Sequence, residues 1–286
     1  MNPKNLYRRL SRAALNLSTK VKNDGCGNAE RERLARLPRY IETTTPLPGF
    51  TMKIPDGPSF LAMWKDVFEN NIYEFPKTSS TPRILDCGAN IGVSCLFFKR
   101  LFPSARLTAF EPDPVIFSYL THNLKEAGIH DAQLIQKALW SSETLLQFHS
   151  EGADAGRIAS DIQPGSNLNA GQVRTTRLYD YLNEQIDFLK LDIEGAETEV
   201  LEDAAPRLGN VSRLFVEYHS FSDKPQTLSR LLGILSDAGF RVQLQPMKYS
   251  AKPFLKVEAY LGMDLQLNIF AYRDHLSVAN GCSNVS

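Results

Sequence analysis

The stretch Thr81-Pro82-Arg83-Ile84-Leu85-Asp86-Cys87-Gly88-Ala89-Asn90-Ile91-Gly92 constrains the fold more than any other part of the chain. A proline precedes a short apolar push that ends in an acid. Two glycines then flank Ala89-Asn90-Ile91. An apolar run with helical spacing follows from Val93 to Phe102, where Pro103 stops it. This order predicts a strand, a tight turn and a helix. Glycine suits a backbone that turns sharply or lets a ligand come close. A helix starting beyond such a turn offers free N–H groups and the positive end of its dipole. The stretch therefore predicts a cradle for the polar part of a small cofactor.

The same alternation continues downstream. Leu107 to Phe110 predicts a strand ending at Glu111-Pro112-Asp113-Pro114, with Asp113 as the cap and Pro114 at the first position of a helix. That helix runs to about Ala127 and stops at Gly128. Gln133 to Ala138 predicts a third strand and Leu145 to Phe148 an extended piece. Phe188 to Ile193 predicts a buried strand ending in an acid, turned by Glu194-Gly195 into a helix that Pro206 ends. Leu214 to His219 is the next strand, and Leu228 to Ala238 an amphipathic helix stopped by Gly239. Phe240 to Leu244 and Leu267 to Tyr272 predict a closing pair of strands. Alternating strands and helices imply an α/β fold with a mostly parallel, doubly wound sheet. Ligands of such sheets sit at the carboxyl ends of the strands.

The flanks read differently. Residues 1–49 form a basic N-terminal extension and linker, 50–80 a segment packing on the core, 81–274 the main domain and 275–286 a C-terminal tail. In the extension, Leu6, Leu10, Ala13, Ala14 and Leu17 have helical spacing among many arginines and lysines. A helix on a membrane surface, a helix packed on the domain and a solvated terminus all remain open. Thr43 to Gly49 predicts a proline-bearing linker, Phe50 to Ile54 a strand, and Ser59 a helix cap. Phe60, Met63, Trp64, Val67 and Phe68 form one apolar face, expected to cover an edge of the main domain rather than to hold a cofactor. Glu151 to Gln172 is polar and glycine-bearing, either a plain surface loop or a mobile lid.

Charge bears on the choice of partner. Lys and Arg together number 32, as do Asp and Glu, which argues against nucleic acid. Cys26, Cys87, Cys95 and Cys282 show no metal-ligand spacing and predict free thiols in a reducing compartment. Neither a long apolar span nor a signal-peptide core is present, so a cytoplasmic protein is expected.

Three acids fall at or just past predicted strand ends: Asp86, Glu111 and Asp192. The carboxylate after the second strand suits two ribose hydroxyls, which nicotinamide and adenosyl cofactors share. The glycine loop discriminates better. A dinucleotide fingerprint needs three glycines. Here an acid precedes only two, and it would repel a pyrophosphate and favour a cationic ligand such as the amino-acid part of S-adenosylmethionine.

The motifs Asp86-Cys87-Gly88-Ala89-Asn90-Ile91-Gly92, Ala109-Phe110-Glu111-Pro112-Asp113-Pro114 and Asp187-Phe188-Leu189-Lys190-Leu191-Asp192-Ile193-Glu194-Gly195-Ala196-Glu197, in this order, resemble the FkbM family of S-adenosylmethionine-dependent methyltransferases. The resemblance covers Ile84 to Tyr218, continues more weakly to Tyr272, and hardly touches the segment before Thr81. It implies a Rossmann-like, seven-stranded doubly wound sheet of class I methyltransferases with the last strand antiparallel, preceded here by a helical N-terminal extension. It also implies methyl transfer to oxygen, on a sugar, glycan or secondary-metabolite hydroxyl. By position, Asp86, Gly88, Ala89, Asn90 and Gly92 would line the methionine part of the cofactor, Glu111 would hold the ribose, and Ala138 and Leu139 would lie near the adenine. Asp192 and Glu194 would face the reacting centre.

With a sulfonium cofactor the methyl group is already activated, so aligning the acceptor oxygen is the main task. A general base would assist, and Asp192, Glu194, Glu217 and His219 are the candidates. His219 is equally readable as a structural histidine at a strand end. Asp192, Glu194 and His219 are also residue types that ligate metals, but their spacing is not diagnostic and no metal is expected. Methylation of nitrogen or protein, a non-catalytic S-adenosylmethionine-binding module and a nicotinamide enzyme are the other readings. The glycine loop disfavours the last. The identity of the acceptor and the oligomeric state stay open.

Overall fold

The computed structural model describes residues 26–77, 79–150, 156–158 and 169–273. The apolar positions Leu6 to Leu17, Cys282 and the tail 275–286 lie outside the described residues. The chain enters through helix α1 (Asn28–Ala35), whose Leu34 is buried. A hairpin follows, with β1 (Thr43–Leu47) antiparallel to β2 (Phe50–Ile54). The expected linker Thr43 to Gly49 is therefore a strand and a turn. Pro46 is tolerated because a two-stranded ribbon leaves it an edge, and Gly49 turns the chain at φ 91°. A boundary at 49/50 falls inside this hairpin.

Helix α2 (Gly57–Trp64) continues into a π-helical turn, Lys65–Glu69. Its cap is Asp56 rather than Ser59. The Asp56 carboxylate accepts from the Ser59 N–H at 2.8 Å, and Arg39 fixes its other oxygen. The apolar face packs on the main domain as expected, but its Met63 and Val67 also border the cavity described below, which the expectation had excluded. Trp64 stacks on Phe68 at 4.1 Å, and Phe68 meets Phe97 edge-on at 5.4 Å.

The main domain then alternates as predicted. β3 (Arg83–Cys87), helix α3 (Val93–Leu101), β4 (Arg106–Phe110), helix α4 (Pro114–Glu126) and β5 (Gln133–Ile135) come first. Asp113 caps α4 through the N–H groups of Val115 and Ile116, and Gly128 ends it at φ 74°. A side sheet follows, from β6 (Ala138–Leu139), β7 (Leu145–Ser150), β8 (Gly156–Ile158) and β9 (Asn169–Thr176). The described parts of the Glu151 to Gln172 interlude, 156–158 and 169–172, are thus strands, and the rest of it lies outside the described residues. β10 (Phe188–Leu191), helix α5 (Glu197–Ala204), β11 (Arg213–Phe221), helix α6 (Leu228–Asp237), β12 (Arg241–Lys248) and β13 (Met263–Tyr272) complete the chain.

The central sheet has seven strands in the order β12-β13-β11-β10-β3-β4-β5. β13 runs antiparallel to both its neighbours, and the others are parallel. Successive strand residues point to opposite faces, and burial divides accordingly. Ile84, Phe188 and Phe215 join the core under α3 and α4, whereas Leu85, Leu189, Leu214 and Val216 join the core under α5 and α6. Both faces are covered, which is why β10 reads as a continuous apolar run apart from one lysine. Among the described residues no helix is long and apolar enough to cross a membrane.

Candidate active site

Strand register places the polar residues. On the α3/α4 face of the sheet, Ile84 pairs with Phe188, and on the strands beyond Phe215 pairs with Phe270. Two residues further along, Asp86 pairs with Lys190 and Glu217 with Asn268. Beyond these, His219 pairs with Gln266 at the carboxyl end of β11. The face changes from aromatic to charged within four residues, where the strands run out into a cavity of about 400 Å³. That size falls in the range of small-molecule sites. Ala62, Met63, Val67, Ile72 and Tyr73 form part of its wall, so the segment before Thr81 covers the sheet and also encloses the cavity.

One side of the cavity is the glycine loop. Gly88 has φ 88°, and a Cβ there would lie 1.8 Å from the Asp192 carbonyl oxygen. The two strand ends approach too closely for any side chain. The N–H groups of Gly88 and Ala89 donate to the Phe110 carbonyl, at 3.1 and 2.9 Å. Asn90 sits in the left-handed region at φ 48° and caps the Ile91 N–H with its own side chain. Glu111 accepts from the N–H groups of Asn90 (3.1 Å) and Asp113 (2.9 Å), and burial raises it to about 8. Gly88, Ala89, Asn90, Glu111, Ala138 and Leu139 all line the cavity.

Asp86 and Gly92 do not. Asp86 is fully buried behind the loop, accepting from Ser94 at 2.5 Å and facing the Lys190 ammonium at 3.5 Å. A carboxylate without solvent needs such partners, so this acid is matched inside the fold rather than offered to a ligand. Gly92 starts α3 at φ 96°, against Leu120.

The other side is built at the ends of β10 and β11. Asp192, Glu194 and His219 converge, each with a ligand atom within 4.8 Å of the others. Glu194 and Gly195 are both left-handed, at φ 56° and 97°. Glu197 holds this turn: its buried carboxylate accepts from the Ile193 and Gly195 N–H groups at 3.3 and 2.9 Å, and meets His219 Nδ1 at 2.9 Å. The other ring nitrogen faces Glu194 at 3.7 Å and Glu217 at 3.6 Å. Burial opposes a charge on His219, but Glu194 and Glu197 outweigh it and hold the imidazole well above its ordinary value. Burial, followed by the carboxylates of Asp192, Glu217 and Glu197 against the pull of His219, pushes Glu194 up to about 8. Lys190 spans both sides. It donates to the Gly88 carbonyl at 2.6 Å and lies 3.1 Å from Asp192. Burial works against its ammonium, yet Asp192, Tyr73 and Asp86 keep it charged.

Sequence reasoning assigned no role to Lys190, Glu197 or Gln266. Lys190 and Glu197 lie inside the third motif, where a lysine in an apolar strand and a second glutamate after the turn were the available signals. Gln266 gave none, because only β13 pairing brings it to His219.

The sheet order, the glycine loop and an acid-rich cavity at the strand ends define a class I methyltransferase. The model of the methyltransferase FkbM domain matches residues 86–242, more than half of the chain, and the protein belongs to that family. It is 27% identical to methyltransferase sdnD of Sordaria araneosa over 233 residues, covering 69% of this chain and 88% of that protein. It is 25% identical to the 31-O-demethyl-FK506 methyltransferase FkbM of Streptomyces tacrolimicus over 240 residues, 67% of this chain and 89% of that one. To 2-O-methyltransferase NoeI of Sinorhizobium fredii it is 28% identical over 155 residues, 48% of this chain and 63% of that protein.

S-adenosyl-L-methionine is the cofactor of this family, and the donor set suits it. The lining carries Asp66, Glu111, Asp113, Asp192, Glu194 and Glu217 against Lys137, Lys190, Lys248 and His219. Near neutral pH Glu111 and Glu194 are largely protonated, so acids and cations in the lining balance and no basic field is present to hold a pyrophosphate. Glu111 keeps unused lone pairs for hydroxyl donors, and Ala138, Leu139 and Phe110 offer apolar surface to a base.

Proposed function

We propose that the protein methylates a hydroxyl oxygen of a small-molecule or glycan acceptor, a sugar or a secondary metabolite. The observation that carries this is the convergence of Asp192, Glu194 and His219 on the cavity that Gly88, Ala89, Asn90 and Glu111 also line. In this reading Glu111 holds the ribose hydroxyls, and Ala89 and Asn90 border the methionine part. Bound S-adenosylmethionine supplies an activated methyl group. The chain's own residues orient the acceptor and receive its proton.

Glu194 is the base best suited to that transfer. Catalytic bases work best with pKa values near the working pH, and Glu194 is raised to about 8. With the cofactor bound, the Glu194 carboxylate would accept the acceptor's O–H proton as the acceptor oxygen takes the methyl group from the sulfonium, which leaves as the thioether. His219, fixed by Glu197 and kept charged, balances the surrounding carboxylates. Two relatives, 2-O-methyltransferase NoeI and 31-O-demethyl-FK506 methyltransferase FkbM, are named as O-methylating enzymes, which supports oxygen as the acceptor atom.

The test has two stages. Calorimetry with S-adenosylmethionine and with NAD is expected to show binding of the first alone. A panel of sugars, lipid-linked glycans and polyketide alcohols is then assayed for transfer of labelled methyl, with product analysis. Methyl found on nitrogen, or cofactor binding without transfer to any hydroxyl, would overturn the assignment.

A further inference from the structure

The connection between β12 and β13 stands apart from the rest of the surface. Phe254 is fully exposed at 101%, and Leu255 is 81% exposed. Tyr249, Val257, Tyr260 and Leu261 continue the apolar surface. Contiguous exposed apolar surface of this kind marks an interaction site. Lys248, Lys252 and Lys256 interrupt it at every fourth position, with Glu258 the one acid between Lys248 and Gly262. The Lys256–Glu258 pair, at 3.3 Å, is exposed on both sides and is weakened by salt. The patch is also continuous with the cavity, since Met247, Lys248, Tyr260 and Leu261 are part of its lining.

We propose that residues 248–261 dock on an anionic membrane surface and open the cavity to acceptors carried there. Aromatic and aliphatic side chains alternating with lysines are the composition of an interfacial element. The apolar groups enter the headgroup boundary while the ammonium groups meet anionic lipid. A second copy of the chain fits less well. A two-fold contact through this patch would bring two sets of three lysines, with a single acid each, into one interface. Continuity with the cavity adds that the acceptor is an amphiphile, with its hydroxyl end inside and its lipid part along Met247, Tyr260 and Leu261. For the acceptor alone this rests on the O-methylation reading.

Flotation of the full chain with vesicles of phosphatidylcholine, with and without phosphatidylserine, tests the proposal. Partitioning is expected to rise about tenfold with phosphatidylserine at low ionic strength. The Phe254→Ser/Leu255→Ser double variant should lose about tenfold on the anionic vesicles. Lys252→Glu/Lys256→Glu should remove the preference for anionic lipid. S-adenosylmethionine binding by calorimetry should be unchanged in both variants. Equal flotation of wild type and the Phe254/Leu255 variant would overturn the proposal, as would no flotation of the wild type. A dimer in light scattering that the same variant dissolves would assign the patch to a second copy instead. Failure of the methyltransferase reading would appear in the calorimetry, and failure of the membrane contact in the flotation.

Discussion

On the loop side of the cavity, the carboxylates of Asp86 and Glu111 each have their own partners: Ser94 and Lys190 for the first, two backbone N–H groups for the second. Across the cavity, Asp192, Glu194, Glu197 and Glu217 crowd around His219, with Lys190 the nearest other cation. Both sides are acidic and largely buried. The loop side owes its shape to backbone conformation, with Asp86 matched by Lys190 and Glu111 raised to about 8 by its own burial. The far side has more carboxylates than cations, so a proton must be shared among them. A rigid rim suits holding a cofactor. A site with a movable proton suits chemistry on the acceptor.

Three substitutions or titrations would break or sharpen this contrast. The largest effect is expected at Gly88. In Gly88→Ala the new Cβ meets a backbone carbonyl at 1.8 Å, and φ 88° disfavours any side chain. A loss of about 4 kcal/mol in stability is expected, with a fall of about 10 °C in Tm by calorimetry. A Tm within about 2 °C of wild type would show that the loop is not rigid.

On the far side, Glu194→Gln should fold normally and bind S-adenosylmethionine within a small factor of wild type. Its turnover should fall by about 100-fold or more, the usual worth of a general base. Wild-type turnover should rise with pH through about 8, since the base must be ionised. The variant should lose that limb, and a profile that kept it would move the proton to another group.

The third test is the pH dependence of stability. Glu194 titrates higher in the folded protein than its ordinary 4.5, so the folded state holds the extra proton between pH 4.5 and about 8. Stability should therefore fall as pH rises through that window. His219 adds to the fall from about pH 6.5 upward, because its raised value binds a proton that the unfolded chain releases. Denaturant midpoints measured from pH 5 to pH 9 should decline in wild type and decline less steeply in Glu194→Gln, which keeps the contributions of Glu111 and His219. A rise across the window would contradict the crowding of charge around His219.

Much of the fold was legible because local signals agree with the global arrangement. Pro82 and Gly88 to Gly92 bound β3, Asp113 and Pro114 start α4, and Gly128 ends it. Each rests on a backbone preference that the residue carries itself. Phe50–Ile54 was legible as a strand, but Thr43 to Gly49 was misread as a linker because Pro46 argues against a strand, and only pairing with β2 decides the matter. Helix α2 starts at Asp56 rather than Ser59 because Arg39 is there to share the carboxylate.

The candidate site divides in the same way. Sequence alone determined the strand–turn–helix cradle, the acids at the strand ends and the three ordered motifs, because these depend on residues close together in the chain. Tertiary structure decided how the charges pair. Asp86 reads as an acid facing the loop, yet it is buried and matched by Lys190, 104 positions away in the chain and adjacent through β3–β10 register. Gln266 reaches His219 only because β13 runs antiparallel to β11. Charge pairing acts through space and depends on burial, so no local pattern encodes it. That pairing separates a carboxylate that holds the fold together from one that holds a movable proton.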